Sequence, residues 1–328
     1  MSTHEVFPEM VLDALTGERK EMPQTQAGAE TMADMTRFRG SLTALVTPMS
    51  ADGQIDYDVA AKLIERQING GTTGLIPAGT TGESPTLTHQ EHGRVIEHCV
   101  EVSAGRVPVM AGAGSNSTVE AVGMAKHAHT VGADALLVVV PYYNKPTQEG
   151  LYRHFMTIAD ATPLPIWLYC IPGRSVVDVA PATMQRLAAH ANIVGTKDAT
   201  ADLARPIVMR RVTGKPFNQL SGDDNTVLSF LGAGGDGCIG VTSNVAPHFC
   251  AQMHTAWQEG RLQDAIAIQD RLSPLHDAMF RESNPGPVKY ALSRLGLCTP
   301  TLRLPLAEPL EATKQMVDAA LRSLELLD

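Results

Sequence analysis

The chain is 44% hydrophobic and 19% charged, which is typical of a globular protein, and its length of 328 residues suits one large α/β domain with an appendage, or two domains. A formal net charge of −9 argues against a nucleic-acid-binding face, and no apolar stretch approaches membrane-spanning length. The five cysteines are odd in number and scattered: Cys99, Cys170, Cys238, Cys250 and Cys298. This pattern is typical of small apolar side chains in a reducing cytoplasm and argues against disulfides or a zinc cage.

Residues 1–36 differ from the rest of the chain, because they are polar, rich in Glu, Thr and Gln, and contain no apolar core like that of a signal peptide. We interpret them as a mobile extension, or as sequence upstream of a later start near Met32 or Met35. The remaining chain is predicted to form a barrel over residues 37–260 and a C-terminal helical region over residues 261–328.

Short β-rich segments alternate with helical segments from Ser41 onward. The predicted strands are residues 42–47, 74–77, 108–111, 135–141, 166–171, 193–197, 218–221 and 237–242. Several are continuous runs of Val, Ile and Leu, as expected of parallel strands that are buried on both faces. Eight strands alternating with helices predict a (β/α)8 (TIM) barrel, and no GxGxxG motif follows the first strand to favour a doubly wound sheet.

Capping residues mark several helix starts. Asp56 is predicted to cap the first helix, and capping boxes are predicted from Thr88 to Glu91 and from Ser117 to Glu120. After the eighth strand the predicted helices are residues 247–259, 262–279, 285–295 and 310–327. The first of these completes the barrel, and the other three form a C-terminal helical appendage.

Lys197 ends the sixth predicted strand, which is otherwise largely apolar. Burial at this position disfavours the charged ammonium form, and a free amine in a dry pocket can attack a ketone to form a Schiff base. The alternative is a lysine that simply marks the exit of the strand into solvent. Because a barrel places its chemistry at the C-terminal ends of its strands, the residues that follow the other strands distinguish the two interpretations.

Hydroxyl, phenol and guanidinium groups follow several of the other strands. Thr80 and Thr81 follow strand two, where their hydroxyls and the turn's backbone amides suit a small carboxylate. Tyr143 follows strand four and Tyr169 ends strand five, where phenols can relay protons. Arg174 follows strand five and suits a second carboxylate. A self-capped turn, aromatic packing and a surface arginine explain each feature singly, but their collection at one rim favours catalysis.

Five motifs carry a resemblance to a known family. They are residues 79–84 (GTTGES), 141–144 (PYYN), 169–174 (YCIPGR), 195–199 (GTKDA) and 220–224 (LSGDD). From about Phe38 to the C-terminus the chain resembles the dihydrodipicolinate synthase family. That family belongs to the superfamily of pyruvate-dependent class I aldolases, which includes N-acetylneuraminate lyase.

The resemblance implies a condensation of pyruvate with L-aspartate 4-semialdehyde to 4-hydroxy-tetrahydrodipicolinate, on the diaminopimelate route to lysine. Lys197 would form a Schiff base with pyruvate, and Tyr169 would act as the general acid and base beside it. Thr80 and Tyr143 would complete a proton relay, with Tyr143 supplied by a neighbouring subunit.

The same resemblance implies how the substrates are held. Thr81 would hold the pyruvate carboxylate, and Arg174 would bind the carboxylate of the semialdehyde. Gly222 and Ile239 would contribute backbone contacts. The family's usual assembly is a homotetramer, and its reaction requires neither a metal ion nor an organic cofactor.

Some members of the family are inhibited by lysine at an interface between subunits. Residues of the types found at that site are Ser84, His89, His92, Asn116, Glu120 and Tyr142. Feedback inhibition by lysine is therefore a hypothesis for this chain.

Four positions depart from the family pattern. Cys170 stands where the family usually has Asn, Val176 and Val177 replace a common Thr-Gly pair, and Pro85 replaces a small residue. Two alternatives stay open: a sister pyruvate-dependent lyase or dehydratase acting on a sugar acid or hydroxy-oxo acid, and a non-catalytic paralogue that binds pyruvate or an amino acid. Arg174 argues for the synthase over the sugar-acid lyases, and the intact lysine, tyrosine and threonine set argues against a pure binder.

Overall fold

The computed structural model describes residues 37–214 and 216–328 of the chain. Residues 1–36, which were predicted to form a mobile extension, lie outside the described residues. None of the helices in the described part has the length and apolar character that crossing a membrane requires.

Eight β-strands alternate with helices along the chain, in the order predicted from the sequence. The strands are β1 (Gly40–Ala44), β2 (Gly74–Ile76), β3 (Met110–Gly112), β4 (Ala135–Val139), β5 (Ile166–Cys170), β6 (Ile193–Asp198), β7 (Asn218–Ser221) and β8 (Gly237–Gly240). The helices are α1 (Tyr57–Asn69), α2 (His89–Ser103), α3 (Thr118–Thr130), α4 (Gln148–Asp160), α5 (Pro181–Leu187), α6 (Arg205–Thr213), α7 (Val227–Gly232) and α8 (Pro247–Gln258). Short helical turns occur at Ser84–Thr86, Pro172–Ser175 and Thr242–Asn244.

The strands close into a barrel. They are parallel, and hydrogen-bonded neighbours follow the order β2-β1-β8-β7-β6-β5-β4-β3. A parallel bridge between Leu75 and Val109 joins β2 to β3 and completes the ring. The predicted (β/α)8 barrel is therefore confirmed, and the C-terminal ends of its strands lie at one rim.

Aromatic side chains fill the opposite, N-terminal end of the barrel. The rings of Phe38 and Trp167 pack with their centroids 4.9 Å apart, and both side chains are fully buried. Trp167 Nε1 donates to Asn218 Oδ1 at 2.7 Å, and Asn218 Nδ2 donates to the carbonyl of Phe38 at 3.0 Å. Because this end is closed by packed side chains, a small molecule enters from the C-terminal rim.

Two of the three predicted helix caps are confirmed. Asp56 accepts a hydrogen bond from the amide of Val59, and Thr88 and Glu91 form the reciprocal capping box. The box predicted at Ser117 is wrong, because the Ser117 side chain makes no capping bond. The hydroxyl of Ser115 takes over instead: it accepts from the Ser117 amide at 3.0 Å and donates to a Glu120 carboxylate oxygen at 2.7 Å.

Three helices follow the barrel, as predicted: α9 (Leu262–Met279), α10 (Gly286–Arg294) and α11 (Glu311–Ser323). They pack with α8 around an apolar cluster that includes Leu272, Leu275 and Leu321. The segment between α10 and α11 returns to the C-terminal rim of the barrel, where Arg303 Nη1 donates to the carbonyl of Thr86 at 2.9 Å. The C-terminal appendage therefore contacts the loop that follows β2.

Candidate active site

The loop after β2 carries Thr80 and Thr81 and is packed closely against its neighbours. A Cβ atom added at Gly112 would lie 2.3 Å from the carbonyl oxygen of Ala78, so only glycine lets β3 approach this loop so closely. From the end of β1, the Thr47 hydroxyl donates to the carbonyl of Gly82 at 2.7 Å. These contacts bury the side chain of Thr81 and leave Thr80 facing a cavity.

A buried ion pair fixes the next residue of this loop. Glu83 has a left-handed φ of 58°, and its carboxylate pairs with the Lys289 ammonium from α10, with neither side chain exposed to solvent. The Arg303 amide donates to the same carboxylate at 3.0 Å, and Lys289 also donates to the carbonyl of Thr301 at 2.8 Å. Burial lowers the pKa of Lys289, and the adjacent Glu83 carboxylate opposes that shift. The loop is therefore held by the C-terminal appendage.

Lys197 lies inside the barrel, not at an exit into solvent. Only 5% of its surface is exposed, and it is the register partner of Tyr169 on the neighbouring strand β5. Its Nζ lies 4.2 Å from the centroid of the Tyr169 ring. The predicted Schiff-base lysine and the predicted acid/base tyrosine are thus in direct contact, in surroundings from which most water is excluded.

The space around Lys197 depends on the glycine that follows β7. A Cβ atom at Gly222 would lie 3.0 Å from Lys197 Cε and 2.9 Å from the Cβ of Ala199. The Gly222 amide donates to the carbonyl of Asp198 at 2.7 Å, which ties the end of β6 to β7. Ile239 is fully buried and belongs to the same interior cluster as Tyr169. Both predicted backbone-contact residues therefore lie at the barrel interior.

A cavity of about 220 Å³ lies at the C-terminal rim, lined by Tyr169 but not by Lys197 itself. Its lining includes Thr80, Ser84, Tyr142, Tyr169 and Arg174. The volume is below that of pockets for drug-sized ligands and suits a small substrate. The Arg174 guanidinium is the cationic group of this lining, which gives the cavity a site for a carboxylate.

Tyr143 is not brought to this cavity by its own chain. Its side chain is 88% exposed, and its φ of 71° is in the left-handed region that non-glycine residues rarely adopt. The neighbouring residue Tyr142 lines the cavity instead. The predicted relay of Tyr143, Thr80 and Tyr169 is therefore incomplete within one chain, as expected if a second subunit supplies Tyr143.

The six residues predicted for a lysine site lie on adjoining parts of the rim. Ser84 and Tyr142 line the cavity, and Asn116 Nδ2 donates to the carbonyl of Tyr142 at 3.1 Å. Glu120 is exposed in the first turn of α3. The other two residues are His89, exposed at the start of α2, and His92, buried one turn later.

Burial shifts the pKa values of two of these six residues, His92 and Tyr142. Burial lowers the pKa of His92 to about 4, aided by the nearby His89 and His127, and the Nε2 atom of His92 has no hydrogen-bond partner among the described residues. Burial also raises the pKa of Tyr142, and the nearby Glu120 adds to that shift. His92 is therefore a neutral imidazole at neutral pH.

The unusual Cys170 does not face the cavity. Its side chain belongs to the cluster between the strands and the surrounding helices, whereas the preceding Tyr169 points into the barrel. The Cys170 sulfur lies 3.7 Å from an Arg205 guanidinium nitrogen, and burial raises the pKa of its thiol to about 12. Arg205 in turn pairs with Asp198, Nε to Oδ2 at 3.0 Å. Cys170 thus supports the end of β6 from behind and does not contact a ligand in the cavity.

The other departures lie at the surface. Val176 ends the helical turn Pro172–Ser175 with a φ of 66°, a strained conformation for a β-branched side chain, and is 63% exposed. Val177 is partly buried against the outer cluster. Pro85 is exposed and lines the cavity beside Ser84.

Sequence reasoning missed the rim residues that come from the C-terminal appendage. Asn284 Nδ2 donates to Thr81 Oγ1 at 2.9 Å. The backbone carbonyl of Asn284 accepts from Arg174 Nη2 at 3.4 Å. Lys289 and Arg303 hold Glu83, as described above. A signal was present in the sequence: Lys289 sits within the buried stripe of α10, between residues that pack in the core. No group of three or more His, Cys, Asp or Glu side chains in residues 37–214 and 216–328 is placed to hold a metal ion.

Comparisons with known proteins agree with this geometry. A 4-hydroxy-tetrahydrodipicolinate synthase from Gluconobacter oxydans is 80% identical over 297 residues, which cover 90% of this chain and all of the relative. The chloride-inhibited dihydrodipicolinate synthase from Acinetobacter baumannii complexed with pyruvate superposes with a TM-score of 0.86 at 42% identity, covering 88% of this chain and 99% of that one. The enzyme from Cyanidioschyzon merolae with lysine bound gives a TM-score of 0.86 at 39% identity, covering 89% and 99%.

The names of these relatives support the predicted synthase, a lyase, over a sister lyase or a non-catalytic binder. The family model described as the dihydrodipicolinate synthetase family matches residues 37–324. The family predicted from the five sequence motifs is confirmed on this evidence. The chain belongs to the dihydrodipicolinate synthetase family.

Proposed function

We propose that this protein condenses pyruvate with L-aspartate 4-semialdehyde to give 4-hydroxy-tetrahydrodipicolinate, the first committed step of the diaminopimelate route to lysine. The observation that carries the proposal is the buried amine of Lys197, placed against the Tyr169 ring at the C-terminal end of β6. A solvent-exposed lysine at this position would have favoured a binding protein over an enzyme.

Lys197 acts as the nucleophile of this reaction. Its Nζ attacks C2 of pyruvate, and loss of water from the carbinolamine leaves an imine. A proton then leaves C3, the resulting enamine carbon attacks the aldehyde carbon, and the aldehyde oxygen takes up a proton. The amino group of the semialdehyde attacks the imine carbon, which closes the ring and releases Lys197. The imine itself accepts the electron pair from C3, so the chemistry calls for neither a metal ion nor an organic cofactor.

Proton transfer in this scheme is assigned to Tyr169, Thr80 and Tyr143. Carbinolamine dehydration requires a donor beside the leaving hydroxyl, and the ring that carries the Tyr169 phenol lies against Lys197. Thr80 shares the cavity with Tyr169 and extends the relay toward the rim. The exposure of Tyr143 supports its donation to the site of a second subunit.

Substrate binding is assigned to two groups of residues. Thr81, Gly222 and Ile239 are proposed to hold pyruvate near Lys197, at the barrel interior. Arg174 binds the carboxylate of the semialdehyde, since it is the cation that lines the cavity. A sugar acid would place no carboxylate there, so Arg174 sets the preference for the semialdehyde.

The assembly we propose is a homotetramer in which pairs of subunits complete each other's sites. Val119, in the first turn of α3, and Tyr143, on the loop after β4, are 83% and 88% exposed. Large exposed side chains at neighbouring positions favour a protein contact over solvent. A partner subunit that covers them would bring each Tyr143 to the neighbouring cavity.

Lysine is proposed to inhibit the enzyme at Ser84, His89, His92, Asn116, Glu120 and Tyr142. The buried, neutral His92 offers an imidazole nitrogen, and Glu120 offers a carboxylate for the amino group of lysine. A related enzyme was solved with lysine bound. Millimolar lysine is expected to lower the rate, and Glu120→Gln is expected to remove that inhibition while leaving uninhibited turnover intact. Unchanged turnover in saturating lysine would exclude this regulation.

A cytoplasmic location is proposed on the state of the cysteines. All five are free, and four of them are buried, as is typical of a reducing compartment.

Turnover of pyruvate with aspartate semialdehyde, coupled to NADPH oxidation by dihydrodipicolinate reductase, tests the proposal. We expect turnover with the semialdehyde and none with sugar-acid aldehydes. Arg174→Lys, which keeps the charge but loses the planar fork, should raise the KM for the semialdehyde about tenfold or more and spare pyruvate binding. Turnover of a sugar acid in place of the semialdehyde would establish the sister lyase instead.

A further inference from the structure

Asn284 joins the C-terminal appendage to the residue proposed to hold pyruvate. It lies between α9 and α10, is 95% buried, and directs its side-chain nitrogen at the Thr81 hydroxyl, 2.9 Å away. This is the only side-chain hydrogen bond of Thr81 within the described residues. Whether the nitrogen or the oxygen of the Asn284 carboxamide faces the Thr81 hydroxyl therefore decides whether that hydroxyl accepts or donates this hydrogen bond.

Either Nδ2 or Oδ1 of the Asn284 side chain could face Thr81. The two orientations differ in which of these atoms stays buried without a hydrogen-bond partner. With Nδ2 toward Thr81, the unpartnered atom is the carbonyl oxygen Oδ1. The reverse orientation would bury an unpartnered NH2 group instead, and buried donors without partners are rarer than buried carbonyls without partners. Asn284 is thus the donor, and Thr81 Oγ1 is the acceptor.

A threonine hydroxyl has one proton and two acceptor positions. When Asn284 occupies an acceptor position, the proton of the Thr81 hydroxyl points away from Asn284 and can be donated to another group. We propose that Asn284 is a positioning residue that fixes the Thr81 hydroxyl as a donor to the carboxylate of pyruvate. This inference rests on the proposed function, because it concerns how Thr81 acts within that reaction.

The role assigned to Asn284 is separable from the stability of the loop. The loop backbone is held independently by the Glu83–Lys289 ion pair and by the bond from Thr47 to Gly82. The contact of Asn284 with Arg174 uses the backbone carbonyl, which no side-chain substitution removes. Changing the carboxamide should therefore affect pyruvate and spare the semialdehyde.

The test uses Asn284→Leu, which has a branched side chain with the same number of heavy atoms. The measurement is the pyruvate concentration that half-saturates borohydride trapping on Lys197. Loss of one oriented hydrogen bond predicts a rise of about three- to tenfold, with the KM for the semialdehyde unchanged. In a Thr81→Val background the same substitution should have no further effect, because the two residues act as one unit.

Asn284→Asp provides a second variant of nearly identical shape. A carboxylate only accepts hydrogen bonds, so it would turn the Thr81 proton toward itself, and half-saturation should rise further than in Asn284→Leu. An unchanged half-saturation in both variants would overturn the inference, and so would an equal rise in the Thr81→Val background. Absence of any pyruvate adduct in the unmodified protein would overturn the proposed function and this inference together.

Discussion

Two loops at the C-terminal rim of the barrel differ in how firmly contacts within the single chain hold their side chains in place. The loop after β2, residues 79–88, is anchored by a buried ion pair from Glu83 to Lys289 and by a bond from Asn284 to Thr81. The loop after β4, residues 140–147, leaves Tyr143 88% exposed in a left-handed conformation. One loop therefore presents its residues ready for a substrate, and the other presents a phenol to its surroundings.

The residues that we propose for catalysis are therefore held in place in two different ways. Lys197, Tyr169, Thr80 and Thr81 are positioned by the barrel and by the C-terminal appendage of the same chain. The backbone beside Tyr143 is held by Asn116 of the same chain, but the Tyr143 side chain itself is left exposed. Backbone strain of the kind found at Tyr143 persists where function requires it. Separate changes in the two loops should therefore have separate consequences for folding and for catalysis.

The largest effect is expected where the first loop is anchored. Lys289→Met would leave the Glu83 carboxylate buried without its cation, and should lower the free energy of unfolding by about 3–5 kcal/mol. Urea denaturation measures this loss. Lys314→Met is the matched control, since Lys314 pairs with Glu308 at the surface and its loss should lower stability far less. Equal losses in the two variants would show that the Glu83 pair does not anchor the loop.

The second loop should show the opposite behaviour. Tyr143→Phe removes the phenol hydroxyl from an exposed side chain, so stability should be unchanged while kcat falls about a hundredfold. Mixed assemblies of Tyr143→Phe and Lys197→Ala subunits then test where the phenol acts. If each Tyr143 serves a neighbouring site, some mixed sites regain both groups and turnover recovers. No recovery above the separate variants would place Tyr143 in the site of its own chain.

A smaller effect is expected at the glycine that makes room for Lys197. Gly222→Ala would place a methyl group 3.0 Å from Lys197 Cε, and this crowding should slow formation of the pyruvate adduct about tenfold. Stopped-flow or quenched borohydride trapping measures that rate. Gly123→Ala is the matched control, because no atom lies within 4 Å of an added Cβ at that position. A normal trapping rate for Gly222→Ala would show that the lysine does not need this space.

The smallest effect on stability is expected from loss of the ion pair between Arg303 and Glu91. The Arg303 guanidinium holds the pKa of Glu91 at about 2, below its ordinary value of 4.5. The ion pair therefore stabilises the fold at pH values above 4.5, and this stabilisation is lost as the pH falls toward 2. Because the pair is partly exposed, Glu91→Gln should cost only about 1 kcal/mol at neutral pH. Glutamine still completes the capping box, so the difference in urea midpoint from the unmodified protein should shrink on acidification. A pH-independent difference would exclude the ion pair as its cause.

The sequence allowed the barrel to be predicted because its strands are continuous apolar runs and its helices carry local caps. Lys197, Tyr169 and Thr80 could be proposed as site residues because the carboxyl ends of parallel strands converge at one rim. Asn284 and Lys289 could not, since their partners lie more than 200 positions away and only the folded chain brings them together. The Ser117 capping box failed because the Ser115 hydroxyl, two residues earlier, binds both the Ser117 amide and the Glu120 carboxylate, which the box would have joined to each other.

Borohydride reduction in the presence of pyruvate, followed by peptide mapping, tests the central claim most directly. The account predicts one reduced pyruvate adduct per chain, on the peptide that contains Lys197, and none in Lys197→Ala. It also predicts no modification of Lys289, the other lysine in the described residues that is fully enclosed by the fold. An adduct on a different lysine, or no adduct at saturating pyruvate, would contradict the assignment of Lys197 as the nucleophile.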